Sequence, residues 1–326
     1  MIATRTLTDS SIFPRPFPAL PGRTLGILAV IGATVIWGSS SVATKAALAE
    51  LPPMVLAFAR LAVAYLVLRP LVARSGARPA SGPLPALLGL TGFAGFVLLR
   101  NLGLGAAPAS HGSLIEGGTT PALAMLLGAA LLAERPNGRN LTGMVVSLAG
   151  VGFAVLPGME EGFGASLAAD GVLLAGATCF ALYTVLGRRA CVAGGSLAMV
   201  AGAMRYGLIA LAPFAVFELV ATGAPMPTPA GVVAILYLGA GCSAAAYALW
   251  GYGLSQLPTG QVALLGNLEL LCGIVVAAVL AGEAFMPLQL AGAGLVLAGV
   301  WFGTASFTLP RLSLRAHTSL VPVAAG

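Results

Sequence analysis

Two acidic residues, Glu116 and Glu269, lie deep inside long apolar stretches of the sequence. A carboxylate in apolar surroundings binds a proton more readily than one in water, so either residue could take up and release protons. Either one could also bind the ammonium group of a small molecule, or form a structural ion pair with an arginine. The sequence leaves these three roles open.

Four basic residues also lie within apolar stretches: Lys45, Arg60, Arg100 and Arg205. A charge at the centre of a membrane helix costs about 2.5 to 3.5 kcal/mol, so each of them needs a reason to be there. Arg100 is followed by Asn101, and the two could bind a carboxylate. Arg60 and Arg205 lie at mirrored depths, where an interfacial or ion-paired position competes with a role in closing a gate. For Lys45 we expect the interfacial or ion-paired position.

Aromatic and small polar residues recur at helical spacing in the same stretches. The further candidates for a binding surface are Trp37, Ser41, Thr44, Thr120, Tyr183, Tyr247, Trp250 and Asn267. Polar side chains inside a membrane face protein or water, although Ser and Thr also occur where helices pack closely. Trp37 and Tyr183 lie near the middle of their stretches, away from the interfaces that membrane aromatics usually occupy. They predict a cavity with aromatic walls, which suits planar and partly apolar molecules.

The elements that must position these residues are membrane helices. Only 8% of the 326 residues are charged and 58% are hydrophobic, whereas a soluble protein has about 25% charged residues. This composition excludes a soluble fold and a disordered chain, and the presence of only 4 Cys excludes a disulfide-rich scaffold. Apolar runs of about 20 residues, each long enough to span a membrane, are separated by short connections rich in Pro and Gly. The ten runs cover residues 25–48, 53–73, 83–104, 109–132, 139–157, 167–189, 198–221, 229–252, 259–281 and 286–307.

The charged residues outside these runs predict the orientation. A net charge of +6 could suggest a nucleic-acid partner, but the positions of the charges argue against one. If the helices alternate across the membrane, twelve basic residues fall on one side: Arg5, Arg15, Arg23, Arg69, Arg74, Arg78, Arg135, Arg139, Arg188, Arg189, Arg311 and Arg315. The connections on the other side carry Glu50, Glu160, Glu161 and Glu283. Because positive charges stay on the cytoplasmic side, we expect both termini in the cytoplasm.

The sequence contains one unit written twice. Residues 131–134, Leu-Leu-Ala-Glu, recur at 280–283 as Leu-Ala-Gly-Glu, and further matched pairs are Gly143 with Gly292, Gly150 with Gly299, and Arg60 with Arg205. Because the unit has five helices, an odd number, its second copy enters the membrane from the opposite face. Inverted repeats of this kind are typical of secondary transporters, and a channel or an intramembrane enzyme is the less favoured alternative. The sequence has only 2 His and no nucleotide-binding or protease motif, which argues against an enzyme and a metal site.

This layout resembles the EamA-type members of the drug/metabolite transporter superfamily. The resemblance rests on the repeated units, on Trp37-Gly38 in the first run, on Pro121, and on Glu134 with its match Glu283. It implies a ten-helix inner-membrane transporter with a central cavity, commonly an exporter of amino acids, related metabolites or amphiphilic drugs. Where many members have Glu-Pro in the ninth helix, this chain has Glu269-Leu270.

We therefore predict an all-α integral membrane protein with ten transmembrane helices arranged as two inverted five-helix repeats. Residues 1–24 and 308–326 form cytoplasmic tails, and the repeats cover 25–157 and 167–307. The predicted function is export of amino acids, with apolar or aromatic side chains among them, or of related metabolites by alternating access. Drugs, amphiphilic cations or nucleotide sugars are alternative cargo, and a channel-like facilitator is the alternative class. We expect no enzyme activity, cofactor, metal or nucleic acid, and a monomer in the bacterial inner membrane that contacts lipid, its small-molecule cargo and, if coupled, protons.

Overall fold

The computed structural model describes residues 22–106, 109–155, 167–223, 226–281 and 287–304. Within these ranges all regular secondary structure is helical, which confirms the predicted helical class. Glu283 and the predicted tails, apart from residues 22–24, lie outside the described residues.

The helices are numbered in chain order. They are α1 (Gly22–Gly38), α2 (Ser40–Leu48), α3 (Pro53–Arg74), α4 (Pro83–Leu88), α5 (Phe96–Ala106), α6 (Ala109–Leu132), α7 (Gly138–Val155), α8 (Leu167–Gly194), α9 (Ser196–Thr222), α10 (Pro229–Leu236), α11 (Ala246–Gln256), α12 (Thr259–Gly266), α13 (Leu268–Ala281) and α14 (Pro287–Thr304). Among the described residues, seven helical stretches are long and apolar enough to cross a membrane: Gly22–Leu48, Pro53–Arg74, Pro83–Ala106, Ile115–Leu132, Ala168–Val192, Ser196–Thr222 and Pro229–Gln256. The other three predicted runs coincide with α7, with α12 and α13, and with α14.

Local sequence signals set several helix starts. Pro53, Pro83 and Pro229 occupy the first turns of α3, α4 and α10, where a missing N–H costs no hydrogen bond. Thr228 caps α10, because its Oγ1 accepts a hydrogen bond from the backbone N–H of Gly231 at 3.2 Å. These starts coincide with the predicted boundaries at residues 53, 83 and 229.

Among the described residues, four of the predicted runs contain an interruption of the α-helical pattern. Ser39 separates α1 from α2, and Asn267 separates α12 from α13. π-helical turns occupy Gly89–Gly95, between α4 and α5, and Tyr237–Ala245, between α10 and α11. Such turns inside helices are frequent at functional sites.

Helices from the two halves of the chain pack side by side. α3 packs against α9 and α7 against α14, while α1 packs against α11 and α13, and α8 against α5 and α6. Glycines allow α7 and α14 to approach closely, since a Cβ added to Gly143 would lie 2.6 Å from the carbonyl oxygen of Gly299. Phe93, Tyr183 and Tyr247 are among the largest fully buried side chains, so aromatic residues form part of the core.

The outer surface is apolar as well. Leu66, Phe217 and Val220 are 67%, 73% and 79% exposed. Water would make such a surface unfavourable, whereas lipid tails match it. The surface therefore fits a protein embedded in a membrane.

Candidate functional site

A cavity of about 40 Å³, counted as the space that the centres of water molecules can occupy, lies among helices from both halves of the chain. One water needs about 10–15 Å³ on this measure, so the cavity has room for a few waters and must widen to take a molecule as large as an amino acid. Its lining residues are Trp37, Arg60, Phe96, Arg100, Glu116, Gly117, Thr120, Pro121, Ala124, Phe180, Thr184, Tyr247, Trp250, Ala263, Gly266 and Glu269. Two arginines and two glutamates thus meet in one largely apolar space.

Arg100, on α5, is held by three side chains. Its Nε lies 3.0 Å from Oε2 of Glu116, on α6, and forms an ion pair with it. Its two terminal nitrogens donate hydrogen bonds to Ser40 Oγ at 3.0 Å and Ser41 Oγ at 2.8 Å, on α2. Arg100 is 3% exposed, so this network joins three helices in the protein interior. The other carboxylate oxygen of Glu116, Oε1, is buried without a hydrogen-bond partner.

Arg60 and Glu269 line the same cavity without an ion pair among the described residues. Arg60, on α3, is 2% exposed, and its Nε donates a hydrogen bond to Ser243 Oγ at 3.0 Å. Its Nη1 is buried and has no hydrogen-bond partner. Glu269 follows the helix break at Asn267 and stands in the first turn of α13. The cavity is therefore lined by one cation and one anion that have no ion-pair partner in the described part of the chain.

Four aromatic rings form a wall of this cavity. The ring of Trp37 lies 5.5 Å from Phe180, 5.3 Å from Tyr247 and 5.1 Å from Trp250, measured between centroids. Centroid separations of 4.5–7 Å are typical of favourable aromatic pairs. The rings therefore stabilise one another and present a broad apolar surface to whatever occupies the cavity.

The two π-helical turns orient this aromatic wall. Trp37 Nε1 donates a hydrogen bond of 2.7 Å to the carbonyl oxygen of Cys242, in the second π-helical turn. Tyr247 Oη donates one of 2.9 Å to the carbonyl oxygen of Gly92, in the first. Each turn thus supplies a backbone acceptor that fixes one ring.

The predicted site residues divide into two groups. The central cavity is lined by Trp37, Arg60, Arg100, Glu116, Thr120, Tyr247, Trp250 and Glu269. Ser41 lines a smaller adjoining cavity of about 20 Å³, which shares Trp37, Glu116 and Glu269 with the first. The structure brings these nine predicted residues together at one place.

The remaining predicted residues do not line either cavity. Asn101 donates a hydrogen bond to the carbonyl oxygen of Pro53 at 3.0 Å, and Asn267 donates one to Ser147 Oγ at 2.8 Å. Thr44 is fully buried on α2.

Tyr183 and Arg205 are the other two predicted residues outside the cavities. Tyr183 packs between Phe93 and Tyr247 in the core, with ring centroids 5.4 and 5.6 Å away. Arg205 donates a hydrogen bond to Ser81 Oγ at 3.0 Å and lies 5.0 Å from the ring centroid of Tyr206. Arg60 and Arg205, which match in the repeat, thus occupy different environments: a cavity for the first and helix packing for the second.

Several residues of the site are absent from the predicted set. Phe96, Phe180 and Thr184 line the cavity, and Ser243 holds Arg60. Thr184 follows the predicted Tyr183 directly, so a helical face shifted by one residue would have found it. Phe180 matches Trp37 in the repeat, so the repeat could have found it, whereas Phe96 carries no signal that separates it from lipid-facing or core residues.

A second ion pair lies just after the end of α6. Arg188 Nε lies 2.8 Å from Oε1 of Glu134, and Arg188 Nη1 donates hydrogen bonds to the carbonyl oxygens of Leu254 and Leu257. The Glu134 carboxylate also accepts hydrogen bonds from Thr259 N at 3.0 Å and Thr259 Oγ1 at 3.1 Å. The pair therefore ties α8 and the end of α6 to the connection between α11 and α12.

Two wider grooves, of about 460 and 350 Å³, border this ion pair. Ala124 lines the central cavity and its neighbour Met125 lines the smaller groove, so one turn of α6 contributes to both spaces. The central cavity and this groove therefore border the same turn of α6.

Comparison with protein families places the chain among membrane transporters. The model of the EamA-like transporter family matches it twice, over residues 24–156 and 167–304. A solved crystal structure with 20% sequence identity superposes with a TM-score of 0.74, covering 86% of this chain and 98% of the other. At this identity the superposition shows a shared fold.

Curated relatives carry names that refer to export. A protein of Salmonella typhimurium named "Probable amino-acid metabolite efflux pump" is 30% identical over 88% of this chain and 96% of its own length. One of the same name from Escherichia coli is 28% identical over 85% and 93%. A "Probable terminal-alkyne amino-acid exporter" of Streptantibioticus cattleyicolor is 28% identical over 84% and 91%.

Proposed function

The chain belongs to the EamA-like transporter family, and from this premise we propose that it exports amino acids or closely related metabolites across the bacterial inner membrane. Membership confirms the resemblance inferred from the sequence, and membrane transport follows from the family. The cargo class is our proposal. It is supported by the names of the relatives in Salmonella typhimurium and Escherichia coli, and by the cavity itself.

The observation that carries the proposal is the composition of the cavity wall. Arg60 and Glu269 offer opposite charges, while Trp37, Phe180 and Trp250 offer an apolar surface. An amino acid with an apolar side chain combines the same features, because it has two opposite charges and one apolar group. Nucleotide sugars carry phosphates, which a wall with equal numbers of arginines and glutamates matches less well.

The proposed architecture has ten membrane spans in two inverted repeats with both termini in the cytoplasm. Two matches of the family model, one in each half, support the repeat. Helix packing supports it too: α1 contacts α11 and α13, and the corresponding helix of the second half, α8, contacts α5 and α6. The orientation is supported by the distribution of arginines.

Alternating access then requires the cavity to open toward each side of the membrane in turn. The Glu134–Arg188 ion pair lies at the end that the arginines assign to the cytoplasm, next to a groove of about 350 Å³. We expect cargo to enter when the helices tied by this pair separate, and to leave when the opposite end opens.

Counterflow in proteoliposomes tests transport and cargo together. Vesicles loaded with unlabelled L-phenylalanine should accumulate labelled L-phenylalanine transiently and saturably, and protein-free vesicles should not. Movement of nucleotide sugars without movement of any amino acid would contradict the cargo. Flux that does not saturate and shows no counterflow would indicate a channel.

Orientation can be tested by labelling single cysteines in a chain whose native cysteines are replaced by alanine. Ser75→Cys follows α3 on the predicted cytoplasmic side, and Met226→Cys precedes α10 on the opposite side, where Met226 is 93% exposed. In intact cells, a membrane-impermeant maleimide should label the second variant and leave the first unlabelled. The reverse pattern would overturn the orientation.

Proton coupling stays a prediction with its own measurement. If export exchanges cargo for protons, efflux of labelled L-phenylalanine from vesicles should accelerate when the outside is acidified. Equal efflux rates with and without the pH difference, in vesicles clamped at zero membrane potential, would indicate facilitated diffusion.

A further inference from the structure

The cavity holds four charged side chains, of which the protein pairs only two. Arg100 and Glu116 lie 3.0 Å apart, and both terminal nitrogens of Arg100 are engaged by Ser40 and Ser41. Arg60 and Glu269 line the same cavity but have no ion-pair partner among the described residues.

Burial makes this arrangement costly. Arg60 is 2% exposed, and its Nη1 has no hydrogen-bond partner. A charge removed from water and left unpaired costs several kcal/mol, so buried charges are normally paired. The two unpaired charges have opposite signs and face one space. A single small molecule that carries both a negative and a positive group can therefore satisfy both of them.

We propose that the cavity selects zwitterionic α-amino acids, with Arg60 binding the carboxylate and Glu269 binding the ammonium group. This assignment rests on the proposed export function and specifies its selectivity. The Arg100–Glu116 pair positions α5 and α6 and does not contact the cargo. The apolar side chain of the cargo then packs against Trp37, Phe180 and Trp250.

Two further donors favour an anionic group in the cavity. Trp250 Nε1 and Thr184 Oγ1 are buried without hydrogen-bond partners, and both residues line the cavity. Buried polar groups are nearly always satisfied, so donors without partners indicate an acceptor that arrives with the ligand. Arg100 is the less suitable carboxylate ligand, because its terminal nitrogens already donate to serines and its charge is balanced by Glu116.

The two assignments can be separated by ligands that lack one charge each. L-Phenylalaninamide has the ammonium group without the carboxylate, and 3-phenyllactate has the carboxylate without the ammonium group. Competition against counterflow of labelled L-phenylalanine gives the half-inhibitory concentration of each. With the unmodified protein, both analogues should bind about 10- to 100-fold more weakly than L-phenylalanine, since each lacks a charge-assisted hydrogen bond.

Variants then test which residue causes each preference. Arg60→Met should abolish the preference for L-phenylalanine over its amide and keep the preference over 3-phenyllactate. Glu269→Gln should show the reverse pattern. Both should fold, because neither substitution breaks an ion pair among the described residues; their melting temperatures in detergent check this, and Arg60→Gln and Glu269→Leu provide second variants. Arg69→Gln, an exposed site on the same helix as Arg60, is the matched control and should leave both preferences unchanged.

The outcomes separate this inference from the proposed function. If the unmodified protein moves L-phenylalanine but Arg60→Met keeps its preference over the amide, the carboxylate assignment is wrong and export of amino acids stands. If Glu269→Gln keeps its preference over 3-phenyllactate, the ammonium assignment is wrong. If the unmodified protein moves no amino acid, both the proposed function and the inference fall.

Discussion

Two arginine–glutamate pairs in the described part of the chain lie in different surroundings and have different hydrogen-bond partners. At the bundle end, Glu134 and Arg188 are about a quarter exposed, and each has hydrogen-bond partners beyond the other. In the cavity, the side chains of Arg100 and Glu116 are 4% and 11% exposed, and Oε1 of Glu116 has no hydrogen-bond partner. Both members of the more exposed pair thus bond with further protein groups, whereas one carboxylate oxygen of the buried pair has no hydrogen-bond partner.

This contrast separates an ion pair that joins helix ends from an ion pair that lies in the wall of the candidate binding cavity. The Glu134–Arg188 pair also forms hydrogen bonds with Thr259 and with the carbonyl oxygens of Leu254 and Leu257, so it joins the ends of helices. The cavity keeps donors and acceptors unpartnered, which lowers stability and leaves them available to a ligand. Each of the following changes alters one side of this comparison.

The largest expected effect comes from breaking the cavity pair. Glu116→Ala leaves Arg100 buried without its counter-ion and should lower the free energy of unfolding by about 3–5 kcal/mol. The double variant Arg100→Leu/Glu116→Leu removes both charges and should recover most of that loss. Reversible unfolding in mixed detergent and SDS micelles measures both. A double variant as unstable as Glu116→Ala would show that the pair itself holds the fold together.

Breaking the end pair should cost less, because water can replace part of what is lost. Glu134→Gln keeps an acceptor for Thr259 but removes the charge opposite Arg188, and should lower the free energy of unfolding by about 1–2 kcal/mol. It should also speed counterflow if separation at this end limits the transport cycle. Arg135→Gln, an exposed neighbour, is the control. A loss equal to that of Glu116→Ala would remove the distinction between the two pairs.

A smaller effect is expected from one hydrogen bond in the aromatic wall. Tyr247→Phe keeps the ring packed against Trp37 and Phe93 but removes the bond to the carbonyl oxygen of Gly92. The free energy of unfolding should fall by about 1 kcal/mol, and L-phenylalanine should compete as before. Weaker competition in a variant of normal stability would mean that the hydroxyl contacts the cargo.

The sequence predicted most of the helices and half of the residues that line the central cavity. Hydropathy located the helices because segments that contact lipid must be apolar. The few charged residues within these segments, such as Arg100 and Glu269, indicated the cavity. Helical spacing alone could not distinguish a face toward a cavity from a face toward another helix. Asn101 and Asn267 therefore entered the predicted site, although each satisfies a group in the packed helices.

Hydropathy gave no signal for other features. Phe180 matches Trp37 in the repeat, but only the fold shows that Phe180 lies beside Trp37 and Trp250 in the cavity wall. The partners of an ion pair are also set by packing, which brought Glu116 to Arg100 and left Glu269 unpaired. Spacing had kept three roles open for both glutamates. The structure shows an ion pair for the first, and ligand binding by the second is our proposal.

The smallest effect should come from Lys45, which lies within an apolar stretch of the sequence like the three arginines. Lys45, in α2, is exposed, whereas Arg60 is 2% exposed and lines the cavity. A long exposed lysine can extend its ammonium group toward the membrane surface, so its charge is already solvated. Lys45→Gln should therefore change the free energy of unfolding by no more than about 0.5 kcal/mol and leave competition by the amide and by 3-phenyllactate unaltered. Altered competition in this variant would place a second cation within reach of the cargo and end the assignment of the carboxylate to Arg60 alone.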